Sequence, residues 1–73
     1  MVEQSYLVRG MTCDHCVSAV RDEVSKVYGV IDVQVDLVPG AVSTVIVSSE
    51  QPVAESSVRE AVDEAGYEVV AVS

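Results

Sequence analysis

Cys13 and Cys16 are the residues in this sequence best equipped for chemistry. A Cys-x-x-Cys pair on a loop that runs into a helix can aim two sulfurs at one point. The pair lies in the segment Gly10-Met11-Thr12-Cys13-Asp14-His15-Cys16, with Cys13 before the first turn of the predicted helix and Cys16 within it. Unpaired backbone N–H groups and the helix dipole favour negative charge at such a position. Both effects lower a thiol pKa, and the thiolate is the form that binds metal. In a short chain this pattern points to metal binding or redox exchange before a structural disulfide.

Two thiolates select among metals. Soft sulfur ligands suit Cu(I), which accepts low coordination, so two sulfurs can suffice. Structural zinc takes four ligands in a tetrahedron. The chain offers two Cys and one His. A closed zinc site would therefore have to recruit Asp14 or another carboxylate, and neighbours in one tight loop rarely converge in that way. A two-ligand site on a loop is also open to invasion by another protein's thiolate, which is what metal transfer requires. Asp14 is expected to cap the helix. His15 reads most plainly as an exposed loop histidine; tuning of the thiolates and ligation across a dimer interface are the functional alternatives.

The elements that must hold this pair are short and regularly spaced. Val2–Arg9 reads as a strand and Gly10–Cys13 as a loop. Asp14–Val27 reads as a helix, because Val17, Val20, Val24 and Val27 recur at spacings of three and four. Gly29 stands where a left-handed helix cap is expected. Val30–Val38 reads as a strand with Ile31, Val33, Val35 and Leu37 on its buried face. Pro39-Gly40 signals a turn, and Ala41–Ser48 a third strand. With Pro39 and Gly40 as the two central turn residues, Val42 falls opposite Leu37, Thr44 opposite Val35 and Ile46 opposite Val33. Val45 and Val47 then point to the other face. Ser49–Val53 reads as a loop. Ala54–Ala65 reads as a helix with Val58, Ala61, Val62 and Ala65 on one stripe and Ala54 as a weak cap. Gly66 ends that helix, and Tyr67–Val72 is the last strand.

Each half is thus strand, helix, glycine, strand. Right-handed crossovers would lay both helices on one face of a four-stranded antiparallel sheet, the α+β, ferredoxin-like βαββαβ arrangement, as a single domain over residues 1–73. By the parity above, the open sheet face would carry Leu7, Val45, Val47, Val70 and Val72. Such a stripe suits docking or dimer formation, or simply reflects the preference of valine for strands.

Composition narrows the partners. At 73 residues the chain forms one small domain, which buries only roughly 60–65% of the surface its unfolded form exposes. The net charge of -8 makes nucleic acid and anionic membranes poor partners and a basic protein surface a suitable one. Asp22, Glu23, Glu60, Asp63 and Glu64 are the helix residues expected to steer such a partner. Met1 to Gly10 lacks the apolar stretch of a secretory signal, and no run of about 18 apolar residues occurs. A cytoplasmic setting, where thiols stay reduced, is the expectation.

The segment Gly10-Met11-Thr12-Cys13-Asp14-His15-Cys16-Val17 resembles the metal-binding loop of heavy-metal-associated domains, and in particular that of bacterial copper chaperones. The family motif Gly-Met-x-Cys-x-x-Cys is matched in full. The likeness extends over nearly the whole chain, through the element order, the Pro-Gly hairpin and Gly66-Tyr67-Glu68-Val69. It implies that Cys13 and Cys16 are Cu(I) ligands, that Met11 is tucked beneath the loop without ligating, and that Gly10 permits the turn out of the first strand. It also implies that Tyr67 sits near the sulfurs, where eukaryotic members usually have a lysine; a strand-start aromatic packed on the helices is the plainer reading. Thr12 stands where zinc- and cadmium-type relatives often have Asp, which favours copper.

The partner implied is the metal-binding domain of a copper-transporting P-type ATPase. A copper-responsive repressor and a copper-bridged homodimer are further candidates. Against this carrier, non-enzyme reading stand an excised domain of such an ATPase, zinc, cobalt or mercury handling, and a thiol–disulfide oxidoreductase. The last usually has aromatic and Pro or Gly residues around its cysteine pair, and this loop has Thr12, Asp14 and His15.

Overall fold

The computed structural model describes residues 2–72. Its elements are β1 (Val2–Arg9), α1 (Asp14–Ser25), β2 (Val30–Asp36), β3 (Ser43–Ser49), α2 (Glu55–Glu64) and β4 (Glu68–Val72). The strands form one antiparallel sheet in the order β2-β3-β1-β4. Helix α1 packs on β2, α2 packs on β4, and the helices pack on each other. This is the ferredoxin-like βαββαβ fold, with both helices on one face of the sheet.

Between helices and sheet lies a core of branched aliphatics. Tyr6, Val8, Val20, Val24, Val45, Val58 and Val62 are fully buried. Each valine removed from water contributes about 1.5–3 kcal/mol. Tyr6 is the one aromatic among them; its hydroxyl donates to Gln4 Oε1 at 2.8 Å. On α1 the buried stripe is Cys16, Val20 and Val24, with Val27 packed beside it. The thiol thus lies on the same face that anchors the helix.

The face assigned to β3 from the sequence is reversed. Pro39 and Gly40 do occupy the centre of a tight turn, with Ala41 N–H donating to Val38 C=O at 3.1 Å and Gly40 at φ +77. The ladder, however, does not resume at once. The Val38 N–H donates to Ser43 Oγ at 2.9 Å, so a side chain takes the place of a strand partner. Ala41 and Val42 lie outside β3, and pairing runs Asp36↔Thr44, Val35↔Val45 and Val33↔Val47. One residue of slip exchanges the two faces of a strand. Val45 and Val47 are therefore core residues, not open-face ones. Leu7 is on the open face as expected, and Thr44, Ile46 and Ala71 share it, all half-buried.

Irregularities at both sheet edges correct other expectations. Ile31 is the extra residue where the β2–β3 register shifts; it is 56% exposed rather than buried. The β1–β4 register shifts between Leu7 and Val8, leaving Val70 unpaired and exposed. Val72 pairs with Tyr6 and so shares its side of the sheet. Helix α1 ends earlier than periodicity suggested, capped at Lys26. The stretch to Gly29 is closed by turns in which Val27 N–H donates to Val24 C=O and Val30 N–H to Val27 C=O. Helix α2 starts after Ala54, which supplies no side-chain cap.

Candidate metal centre

Two chain reversals bring the loop and Tyr67 together. The first is at Gly10, where β1 ends and the backbone takes φ +103. A Cβ there would lie 3.3 Å from Tyr67 Cδ1, so glycine is required both by conformation and by the approach of the ring. The second is the end of α2. Gly66 N–H donates to Asp63 C=O at 2.9 Å and Tyr67 N–H to Val62 C=O at 3.1 Å, with Gly66 at φ +93. This paired closure sets the direction in which Tyr67 leaves the helix. Met11, fully buried, pins the loop from below.

Cys13, not Asp14, is the residue that caps α1. It is extended, at φ -156 and ψ 176. Its carbonyl accepts from Cys16 N–H at 3.0 Å and Val17 N–H at 3.3 Å. Its side chain makes no capping hydrogen bond and stays exposed. Asp14 is the first helical residue, where a carboxylate complements the positive end of the helix. Cys16, one turn on, is 9% exposed. The two sulfurs are 3.7 Å apart, both as free thiols.

The surroundings of Cys16 favour its thiolate. Its pKa is lowered from 9.0 to about 6, first by a hydrogen bond from the Thr12 backbone and then by the Tyr67 phenol. The Cys13 backbone and the Thr12 hydroxyl add to this, against the opposing effect of burial. Thr12 Oγ1 lies 3.8 Å from Cys16 Sγ. The Tyr67 phenol is raised in turn, chiefly because it would lose its interaction with Cys16 on ionising. No cation is needed for this. Arg9, the basic residue beside the loop in sequence, is occupied by Glu68.

His15 is exposed. Among the described residues no three His, Cys, Asp or Glu side chains converge into a metal-holding group. The site therefore offers two sulfurs and an open side. Sulfurs 3.7 Å apart are close enough for both to serve as ligands to one soft ion. Sequence reasoning had no signal for one neighbour of the loop: the antiparallel pairing Val8↔Ser43 carries the β2–β3 connection alongside it.

Comparison with known proteins agrees with this geometry. Residues 5–68 match the family described as Heavy-metal-associated domain. The copper chaperone CopZ of Staphylococcus aureus is 36% identical over 70 residues, which is 96% of this chain and all of the relative. A CopZ metallochaperone structure superimposes with TM-score 0.82 at 34% identity, over 94% of this chain and 100% of that one. A copper binding domain from HMA7, a P-type ATPase, superimposes with TM-score 0.79 at 28% identity, over 99% and 97% of the two chains. No described helix is long and apolar enough to cross a membrane.

Proposed function

This chain belongs to the heavy-metal-associated domain family, and we propose that it carries a single Cu(I) ion between the Cys13 and Cys16 thiolates. The observation that carries this reading is the pair of free sulfurs 3.7 Å apart where the exposed loop enters α1, with no third such ligand gathered beside them among the described residues. Soft donors select a soft ion, and a donor count of two disfavours a closed zinc site. The relatives named for copper handling support the same choice.

The two sulfurs divide the work. Cys16 is nearly buried and biased toward thiolate, so it is the fixed ligand. Cys13 is exposed at the helix start and makes no capping hydrogen bond, so it is the ligand that yields first. An incoming thiolate enters on the open side and bonds to the ion. Cys13 then leaves, and a second incoming thiolate displaces Cys16. The copper keeps its charge throughout, and no electron moves. The acceptor proposed is the metal-binding domain of a copper-transporting P-type ATPase, and the shared fold of a copper binding domain from a P-type ATPase supports it. A cytoplasmic, reducing setting suits thiols that must stay free.

An anaerobic titration with Cu(I) against a competing chelator tests the reading. One equivalent is expected to bind tightly to the reduced protein, and X-ray absorption should report sulfur as the ligand. Cys13→Ser and Cys16→Ser should each abolish tight binding and leave the circular dichroism spectrum unchanged. Full affinity in either variant would show that the two sulfurs are not the site.

A further inference from the structure

Arg59, on α2, is held at two points. Its Nε donates to Glu55 Oε2 at 2.6 Å, and its Nη1 reaches across to the edge strand β4, donating to the Val69 carbonyl at 3.2 Å. We infer that Arg59 is a positioning residue for the metal site: it holds the start of β4 so that the Tyr67 ring stays against the Gly10 turn from which the thiol loop departs. The inference rests on the carrier reading above and adds to it a residue outside the thiol loop.

Tyr67 needs such a hold. It belongs to neither element, standing between the end of α2 and the first residue of β4. On its helix side, its N–H donates to the Val62 carbonyl. On its strand side the support is thinner. Strand β4 is five residues long, lies at the edge of the sheet and pairs with β1 alone. The β1–β4 register also shifts along it, leaving Val70 without a partner. A short strand paired on one side opens locally at small cost unless something else ties it down.

Two side chains tie it. Arg9 pairs with Glu68, but the two side chains are 66% and 62% exposed, and an ion pair in that setting is weak. Arg59 acts differently. Its second bond ends on a backbone carbonyl, so it grips the strand itself, at a residue that is part of the core. Glu55 fixes the guanidinium from the other side. A planar fork makes both bonds at once, whereas a lysine ammonium on its flexible stem is a single point charge. The chain has four Lys and Arg against twelve Asp and Glu, and this one is directed at the backbone two residues beyond Tyr67.

The consequence reaches the sulfurs through the ring. Arg59, Tyr67 and Val69 line one cleft. The ring lies so near Gly10 that a Cβ there would be 3.3 Å from Tyr67 Cδ1. Gly10 opens the loop that carries Cys13 and Cys16. If β4 loosens, the loop loses the ring packed at its start, and Cys16 loses the phenol.

The test separates positioning from general stability. Arg59→Gln and Arg59→Lys are made in the full chain, with Tyr67→Ala alone and combined with Arg59→Gln. Val33→Ala is the control, because Val33 is buried on the opposite edge strand and its loss weakens the fold without touching β4. In NMR spectra of the reduced protein the Gly10 Hα protons should carry a ring-current shift from Tyr67. That shift should shrink in both Arg59 variants and persist in Val33→Ala. Cu(I) affinity, read by chelator competition, should fall about threefold to tenfold in Arg59→Gln, the scale of one hydrogen bond. It should hold at the wild-type value in Val33→Ala. Once Tyr67→Ala has removed the ring, Arg59→Gln should weaken binding no further, because it acts through Tyr67. A wild-type Gly10 shift in both Arg59 variants, a full additional loss in the combined variant, or an equal loss in Val33→Ala would overturn the role of Arg59 and leave the carrier reading standing. Failure of the wild-type protein to take Cu(I) would overturn both.

Discussion

At the scale of the residue, the site depends on a few atoms that differ in what they do. Cys16 is tuned and Cys13 is free. A thiol whose pKa falls from 9.0 to about 6 on folding binds fewer protons folded than unfolded between those values. The stability of the reduced apo-protein should therefore rise with pH from about 6 to 9, and this contribution is lost as pH falls back toward 6. Ultraviolet thiolate absorbance should follow the Cys16 titration, and Tyr67→Phe should move its midpoint upward. A midpoint unchanged by Tyr67→Phe would remove the phenol from the account. Gly10 is the second decisive residue, and Gly10→Ala meets strain at φ +103 together with the Tyr67 ring at 3.3 Å. Urea unfolding should show a loss of about 1–3 kcal/mol. Because the strain lies next to the loop, Cu(I) affinity should weaken as well.

At the scale of the element, the β2–β3 connection decides more than its length suggests. Ser43 is fully buried, and its hydroxyl accepts the Val38 N–H at 2.9 Å. That bond holds the register that puts Val45 and Val47 in the core. Ser43→Ala leaves the part-buried N–H of Val38 without its side-chain partner. A cost of about 0.5–1.5 kcal/mol is expected by chemical denaturation, more than an exposed serine would show. The helices are set by different means. Helix α1 is fixed through Cys16, Val20 and Val24 on one stripe, so the metal loop and the core share an anchor. The hydrogen-bonded end of α2 fixes where Tyr67 starts.

At the scale of the whole molecule, the thiol chemistry and the acidic charge occupy different places. The thiol loop, the Pro39-Gly40 hairpin and Tyr67 lie together. Glu23, Glu60, Asp63 and Glu64 line the cleft between the helices, with Lys26 in their midst. Glu23 is already engaged by Lys26 at 3.1 Å, so the residues on α2 carry more of the uncompensated charge. If this field steers a basic acceptor, association should slow as salt rises, since screening at about 0.15 M acts over roughly 8 Å. Stopped-flow rates across a salt series measure this. Rates that do not respond to salt would assign the acidity to solubility alone.

The sequence by itself determined the order of elements, the helix faces and the pair of thiols. Those signals are local: a period of three to four for Val20 and Val24, glycines at Gly10 and Gly66, and two cysteines three apart. It could not determine which face of β3 is buried. Ser43 competes for a backbone N–H five residues back, and one residue of slip turns Val45 and Val47 from water to core. Nor could it separate the two cysteines. Their difference arises because Cys13 lends its carbonyl to the helix start, while Cys16 faces the core with Thr12 and Tyr67 against its sulfur. Only tertiary packing brings Tyr67 to Gly10 across the length of the chain. Spacing along a sequence fixes periodicity, but register and the surroundings of a single atom depend on partners distant in it.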